Sequence, residues 1–473
     1  MGARVTTSPW LAAGFCVMAS VLVADEPSAP AGAADGVELG SLARLAQLEM
    51  ANGNGGADTE EAAQPLAGYD KSEGFFIRDK TGDNYLRIGV QLQIRYSYFA
   101  RDKRGEDVGA DEVGSSDTSA IELERARLVA EGNVLSKNLT YKYQGDGDTD
   151  GAGAWKTLDA YVEYWLGADL TGDQANASLM GIGIGQFKPF FLRQESASSS
   201  RLQMVERNIT NEFFNIDRNL GLWVRGDLIG DKEGPGVFYA FAMTNGFDSV
   251  NVRPNAVDNV PAFVGKLDFQ LWGSKIERGK YEEGNPRQKE LFTVGLSAAS
   301  DYNNNSNNLN GLRYQVYELG LDTQFKASIF SVQAEYIMRW LDYQVGNTAI
   351  PGGRGDAQFA HGGYVQAGVL IIPDYGIELT ARCAAIWCDD AQDGNGVEVG
   401  PGINWYISGD HKIKLQADVG WFDISGNLQD STEDLDGSFG SGGNFASSFE
   451  STSAGVEAGE QGLLLRTQLQ LSF

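Results

Sequence analysis

The stretch YLRIGVQLQIRYSYF, residues 85–99, alternates throughout: Leu86, Ile88, Val90, Leu92, Ile94, Tyr96 and Tyr98 share one parity, and Arg87, Gly89, Gln91, Gln93, Arg95 and Ser97 the other. Period two is the side-chain repeat of an extended strand, so the segment has one apolar and one polar face. It is also long: ordinary strands run to about five or six residues, whereas a tilted strand crossing a bilayer needs about nine to eleven. The pattern returns in HKIKLQADVGW (411–421) and in the closing GLLLRTQLQLSF (462–473), where Leu463, Leu465, Thr467, Leu469, Leu471 and Phe473 oppose Leu464, Arg466, Gln468, Gln470 and Ser472. Weaker copies occupy 139–144, 158–165, 330–339 and 377–387.

A soluble sandwich alternates too. Beyond strand length, two features favour a membrane barrel. Aromatic residues collect at strand ends, at Tyr96, Tyr98 and Phe99, Tyr164 and Trp165, Trp387, Trp405 and Tyr406, and Trp421 and Phe422, where an interfacial girdle would lie. Connections also alternate in length. Sixteen strands placed by pattern leave long polar links at 101–119, 145–155, 189–219, 246–259, 301–311, 343–360, 389–396 and 423–461, and tight ones at 135–137, 324–326, 373–375 and 408–410. Short periplasmic turns and long external loops have this asymmetry. The link 273–288 is too long for the rule. The expectation is an all-β, transmembrane antiparallel β-barrel of about 16 strands, its third external loop folded inward.

Composition agrees. There are 60 glycines, 18 tyrosines and 23 phenylalanines, which suit strands and turns, and the net charge of −27 leaves no basic surface for nucleic acid. Arg4 followed by the apolar run Trp10–Ala24 reads as a signal peptide over 1–24, with cleavage placed between 24 and 34. Residues 35–68 read as a short helix around Leu42, Leu45 and Leu48 with an acidic linker, and 69–473 as the barrel. Cys383 and Cys388 fall on one strand with opposite parity, so they face apart and cannot bridge.

In order and spacing, ERARLVAEGNV, LDAYVEYWLG, IGIGQFKPFFLRQESASSSRLQMVERN, GYVQAGVLIIP, GINWYISGDHKIKLQADVGW and LLLRTQLQLSF resemble the phosphate-selective porin O and P family of Gram-negative outer membranes, over Gly74–Phe473. The resemblance implies a sixteen-stranded, usually trimeric outer-membrane porin that passes small anions such as phosphate by diffusion, without a cofactor, and whose C-terminal aromatic is presented to the barrel-insertion machinery. Phe190 stands where family members commonly carry a second proline.

The third long connection holds the candidate selectivity residues Arg193, Arg201, Arg207 and Arg218, next to Lys188 and a serine run, Ser196 and Ser198–Ser200. Guanidinium groups bind phosphate oxygens bidentately. The same loop carries Glu195, Glu206, Glu212 and Asp217, so its arginines either filter anions or brace the loop on the wall. Polar parity adds Arg87, Arg95, Arg125 and Arg127 on the lumen side, because a cation facing lipid at mid-bilayer costs about 2–4 kcal/mol. Acids share that face, including Asp159, Glu163, Asp268, Glu335, Glu378 and Asp418.

GDGDTDGAG (145–153) places Asp146, Asp148 and Asp150 like the opening of a calcium loop, but Thr157 stands at the twelfth position, where glutamate is required, and a solvated turn is the better reading. His361 and His411 fall near opposite ends of the barrel, which disfavours an enzyme and leaves no catalytic or metal-binding set. The alternatives to an anion porin are a general or cation-tolerant diffusion porin and a surface structural or adhesive barrel.

Overall fold

A strand in hydrocarbon has no water for its backbone groups, so the ladder must close on itself. In the computed structural model it does. The structure describes residues 66–70, 74–101, 117–147, 155–166, 180–229, 235–247, 260–274, 280–285, 287, 289–303, 313–344, 357–388, 394–424 and 461–473. The strands are β1 (Ala67–Asp70), β2 (Gly74–Arg78), β3 (Tyr85–Arg101), β4 (Thr118–Val134), β5 (Ser136–Asp146), β6 (Lys156–Leu166), β7 (Met180–Phe187), β8 (Asn219–Ile229), β9 (Gly236–Thr244), β10 (Ala262–Gly273), β11 (Leu291–Asn303), β12 (Arg313–Ala327), β13 (Phe330–Gln344), β14 (Ala357–Ile372), β15 (Ile377–Cys388), β16 (Asn395–Tyr406), β17 (Ile413–Ile424) and β18 (Gln461–Ser472). From β3 to β18 each pairs antiparallel with the next, and β18 returns to β3 in the register Gly462↔Arg101 to Ser472↔Gln91. That is the sixteen-stranded closed barrel of the sequence reading.

The first two strands are additional to it. Where β18 runs out, Phe473 and Val90 exchange backbone hydrogen bonds of 3.0 and 2.9 Å. Beyond that point β2 takes over the same edge of β3, from Phe75↔Ile88 to Arg78↔Tyr85. The Phe75 ring lies 5.8 Å from that of Phe473. This short hairpin gave no sequence signal because Phe75, Phe76 and Ile77 of β2 are apolar in succession and do not alternate.

Burial follows parity. Leu463, Leu465, Leu469 and Leu471 are exposed on the outside of β18, while Arg466, Gln468 and Gln470 on the other face are almost completely covered. A barrel wall that merely faced water would expose those polar side chains; here other parts of the chain cover them. Parity also corrects the aromatic girdle. Tyr96, Tyr164, Trp387 and Trp405 face outward, but Phe99, Trp165, Tyr406 and Phe422 are buried on the inner face. Adjacent residues of a strand point to opposite faces, so an aromatic pair cannot place both rings in lipid. The inner face is not polar throughout either: Ala242, Val264, Val316, Ile337, Ile386 and Leu464 join an apolar cluster with Phe191, Ile209 and Phe214.

Cys383 and Cys388 carry no disulfide. Asp146 ends β5 and accepts a hydrogen bond from Ala126 N at 3.1 Å, with Arg127 also on its carboxylate. Asp148 and Asp150 lie outside the described residues, as do the predicted signal peptide and residues 35–65. Leu465→Arg puts a cation on the lipid face near the middle of β18 and is expected to cost about 2–4 kcal/mol in refolding titrations into lipid vesicles. An unchanged midpoint would refute the parity.

Candidate functional site

The connection between β7 and β8 begins at Lys188, and Pro189 after it, with no N–H to donate, cannot prolong the ladder. It then makes two short helices, α1 (Arg193–Ser196) and α2 (Ile209–Phe214), with a 3-10 turn at Ser199–Arg201 between them. Asn208 caps α2, its side chain accepting from Asn211 N at 3.0 Å. Phe190, at the site of the family's second proline, packs between Phe187 and Phe238, with ring centroids at 5.8 and 6.5 Å.

Both backbone and side chains of this connection meet the polar faces of strands far around the ring. Arg193 bonds to Asp322 on β12 at 2.5 Å and to Asp268 on β10 at 3.2 Å, and its backbone N–H donates to Glu335 on β13 at 3.0 Å. Gln203 donates to Ser331 on β13 and to Glu378 on β15, both at 2.8 Å. Val205 N donates to Asp418 on β17 at 3.1 Å and Ile209 N to Glu398 on β16 at 2.9 Å. From β3 and β4, Arg95 and Arg125 converge on Glu206 at 2.6 and 2.8 Å. Glu206 is 1% exposed, so these are ion pairs whose partners cannot fall back on water.

The sequence-predicted residues sort into two groups. Arg95, Arg125, Arg193 and Arg207 brace: the first three are paired as above, and Arg207 turns into its own loop, onto Glu195 at 2.9 Å and the Ala197 carbonyl at 3.0 Å. Arg87, Arg127, Lys188, Arg201 and Arg218 instead line a cavity of about 430 Å³ at the end where β18 terminates. Of these, Arg218 also bonds to Asp159 at 2.9 Å, and Lys188 lies 2.5 Å from Glu195. Arg127 donates to Ser199 Oγ at 2.7 Å. Among the described residues the Arg201 guanidinium has no carboxylate partner.

Nine Lys or Arg residues and four Asp or Glu residues line this cavity, so its field is cationic in a chain whose net charge is −27. A concave site walled by low-dielectric protein focuses such a field. Sequence reasoning missed Arg225, Lys280 and His411 as lining residues. Arg225 lies on a strand read only in outline, and Lys280 belongs to the connection that broke the length rule. Burial, with neighbouring Arg207 adding to it, pulls the Lys188 ammonium down to about 7 despite Glu195. Burial, with Glu206 close by, pushes the Glu212 carboxyl up to about 8.

A family model described as phosphate-selective porin O and P matches residues 90–439. No curated protein matches the chain in sequence. Among solved structures, an anion-selective porin from Comamonas acidovorans is similar in fold, with TM-score 0.52 and 12% identity over 82% of this chain and 99% of that one. The outer membrane channel DcaP of Acinetobacter baumannii matches with TM-score 0.49 and 13% identity, over 84% and 99% of the two chains.

Glu206→Gln leaves the Arg95 and Arg125 guanidinium groups to share Glu124, at 3.1 and 3.3 Å, and is expected to weaken docking of the connection on β3 and β4 by about 1.5–3 kcal/mol, the worth of a charge-assisted hydrogen bond. It should lower the temperature at which the detergent-solubilised barrel loses its compact gel migration; no shift would remove Glu206 as an anchor.

Proposed function

We propose that this chain, which belongs to the phosphate-selective porin O and P family and is an outer-membrane porin of the Gram-negative type, passes small anions such as phosphate by passive diffusion through a bore narrowed by the β7–β8 connection. The observation that carries the anion preference is the excess of Lys and Arg over Asp and Glu around the cavity. Selectivity in a wide tube is set by charge and width at the narrowest point. A segment tied at once to β3, β4, β10, β12, β13 and β15–β17 has to cross the bore, which makes it the candidate constriction.

Arg201, which lines the cavity, is our candidate to contact solute. Its planar fork suits two oxygens of one phosphate or carboxylate, and the Ser198 and Ser200 hydroxyls, 3.0 Å apart, stand beside it. The bracing arginines favour a second reading, a general diffusion porin whose loop charges hold the fold and leave selectivity weak. Assembly as a homotrimer, and presentation of β18 with Phe473 to the insertion machinery, belong to the same proposal.

In planar bilayers under a salt gradient, the reversal potential is expected to show anion preference, and Arg201→Gln to move it toward zero. Cation preference in the native protein would overturn the anion reading and favour the general porin. A second outcome concerns pH. Because the Lys188 ammonium is held down to about 7, it is charged below that pH and neutral above it. Glu195, Arg207 and Arg218 surround it, and loss of its charge leaves Glu195 less compensated. Anion preference should therefore fall as pH rises from about 6 to about 8, and Lys188→Arg, which stays charged, should flatten the profile. A native profile already flat would exclude Lys188 from the path.

A further inference from the structure

The connection between β10 and β11 was the one that broke the long-and-short rule, and the structure gives it work no tight turn could do. Residues 280–285 reach the β7–β8 connection from the opposite end of the barrel. Glu283 N donates to the Arg201 carbonyl at 3.0 Å. The Glu283 carboxylate accepts from Gln203 N at 2.9 Å and Gln194 Nε2 at 3.0 Å on that connection. It also accepts from Gln333 and Gln366 on β13 and β14, both at 3.1 Å. Tyr281 donates its hydroxyl to Asp268 and lies under the Arg193 guanidinium at 4.7 Å. At the exit Asn285 bonds to Gly409 at 3.2 Å, and Arg287 to the Pro373 and Gly409 carbonyls, so the segment is clipped to the two turns after β14 and β16.

The two segments interlock with each other against β13, β14 and β15. On β14, β15 and β17 the polar-face residues Gln366, Glu378 and Lys414 are each 0% exposed. Toward the end where β18 terminates, the Arg87, Glu131 and Lys142 side chains of β3–β5 keep 33%, 31% and 24% of their exposure, whereas farther along β3 and β4 Gln93, Arg95 and Arg125 are buried against the β7–β8 connection. The cavity with Arg201 and Ser200 lies against that exposed stretch of the wall.

From this asymmetry we infer that the passage is eccentric, opening between the β7–β8 connection and the exposed stretch of β3–β6 at the end where β18 terminates, and that residues 280–285 are a strap that sets its width by holding Arg201 over that opening. Tyr281 and Glu283 are positioning residues: they act through Arg193, Gln194, Gln203 and Arg201 and need not touch solute. The inference rests on the reading of this barrel as an anion pore, but its first test does not use conduction.

In a background with Cys16, Cys383 and Cys388 replaced by alanine, single cysteines are placed at Ser200 on the cavity side and at Thr380 on the covered side, and folded protein is treated with a small charged thiol reagent. Mass spectrometry should show Ser200→Cys modified and Thr380→Cys protected; reaction of Thr380→Cys at the rate of Ser200→Cys would overturn the eccentric path. Replacing residues 280–287 by Gly-Ser of equal length should then make Thr380→Cys reactive, raise single-channel conductance by about twofold or more and weaken anion preference. Where that variant does not fold, Tyr281→Phe with Glu283→Gln carries the test in the same direction. Folded variants with unchanged reactivity, conductance and reversal potential would remove the strap. An absence of native conductance would instead strike the porin reading, leaving the thiol pattern to decide the geometry.

Discussion

Every structural decision here follows from the cost of an unpaired backbone group in hydrocarbon. A sheet edge left in lipid would strand a row of N–H and C=O groups, so β18 must return to β3, and it does so over the register Gly462↔Arg101 to Ser472↔Gln91. Closure fixes which parity faces lipid and which faces the interior on all sixteen strands at once. It also makes the interior a space that something must fill or leave open.

The same asymmetry between lipid and interior explains the electrostatics. Charges excluded from the outer face collect inside, where most are neutralised in pairs, such as Arg466 with Asp418 at 2.7 Å and Arg382 with Glu398. The β7–β8 connection covers these pairs, which removes their competition with water and makes each partner costly to lose. What remains accessible is a cationic recess near the end of β18. An acidic protein can thus enclose a recess lined mainly by cations, because net charge averages over the whole chain.

Legibility differed sharply between wall and interior. The wall was readable because period two is local: Leu86 to Tyr98 needs no partner to declare its two faces. The closing strand and the inward parity of Arg87, Arg95, Arg125, Arg127 and Arg466 were readable for the same reason. The interior was not. Arg193, Arg201 and Arg207 look alike in sequence, yet Arg193 and Arg207 are spent on carboxylates while Arg201 faces the recess. The anomalous length of the β10–β11 link was visible, but nothing in its composition announced that Glu283 would meet Arg201.

The sequence by itself determined the barrel: alternation, strand length, the spacing of connections and the family motifs fix the number of long strands and the face each residue takes, since these depend on backbone periodicity and the dielectric contrast across the wall. Only the tertiary structure decided what fills the barrel. Contacts such as Arg193 with Asp322 or Gln203 with Glu378 join residues more than a hundred positions apart, and which of several similar arginines finds a carboxylate depends on where closure brings the strands. Local pattern carries no record of that distance, so the wall is written in the chain and the passage is set by how the chain packs inside it.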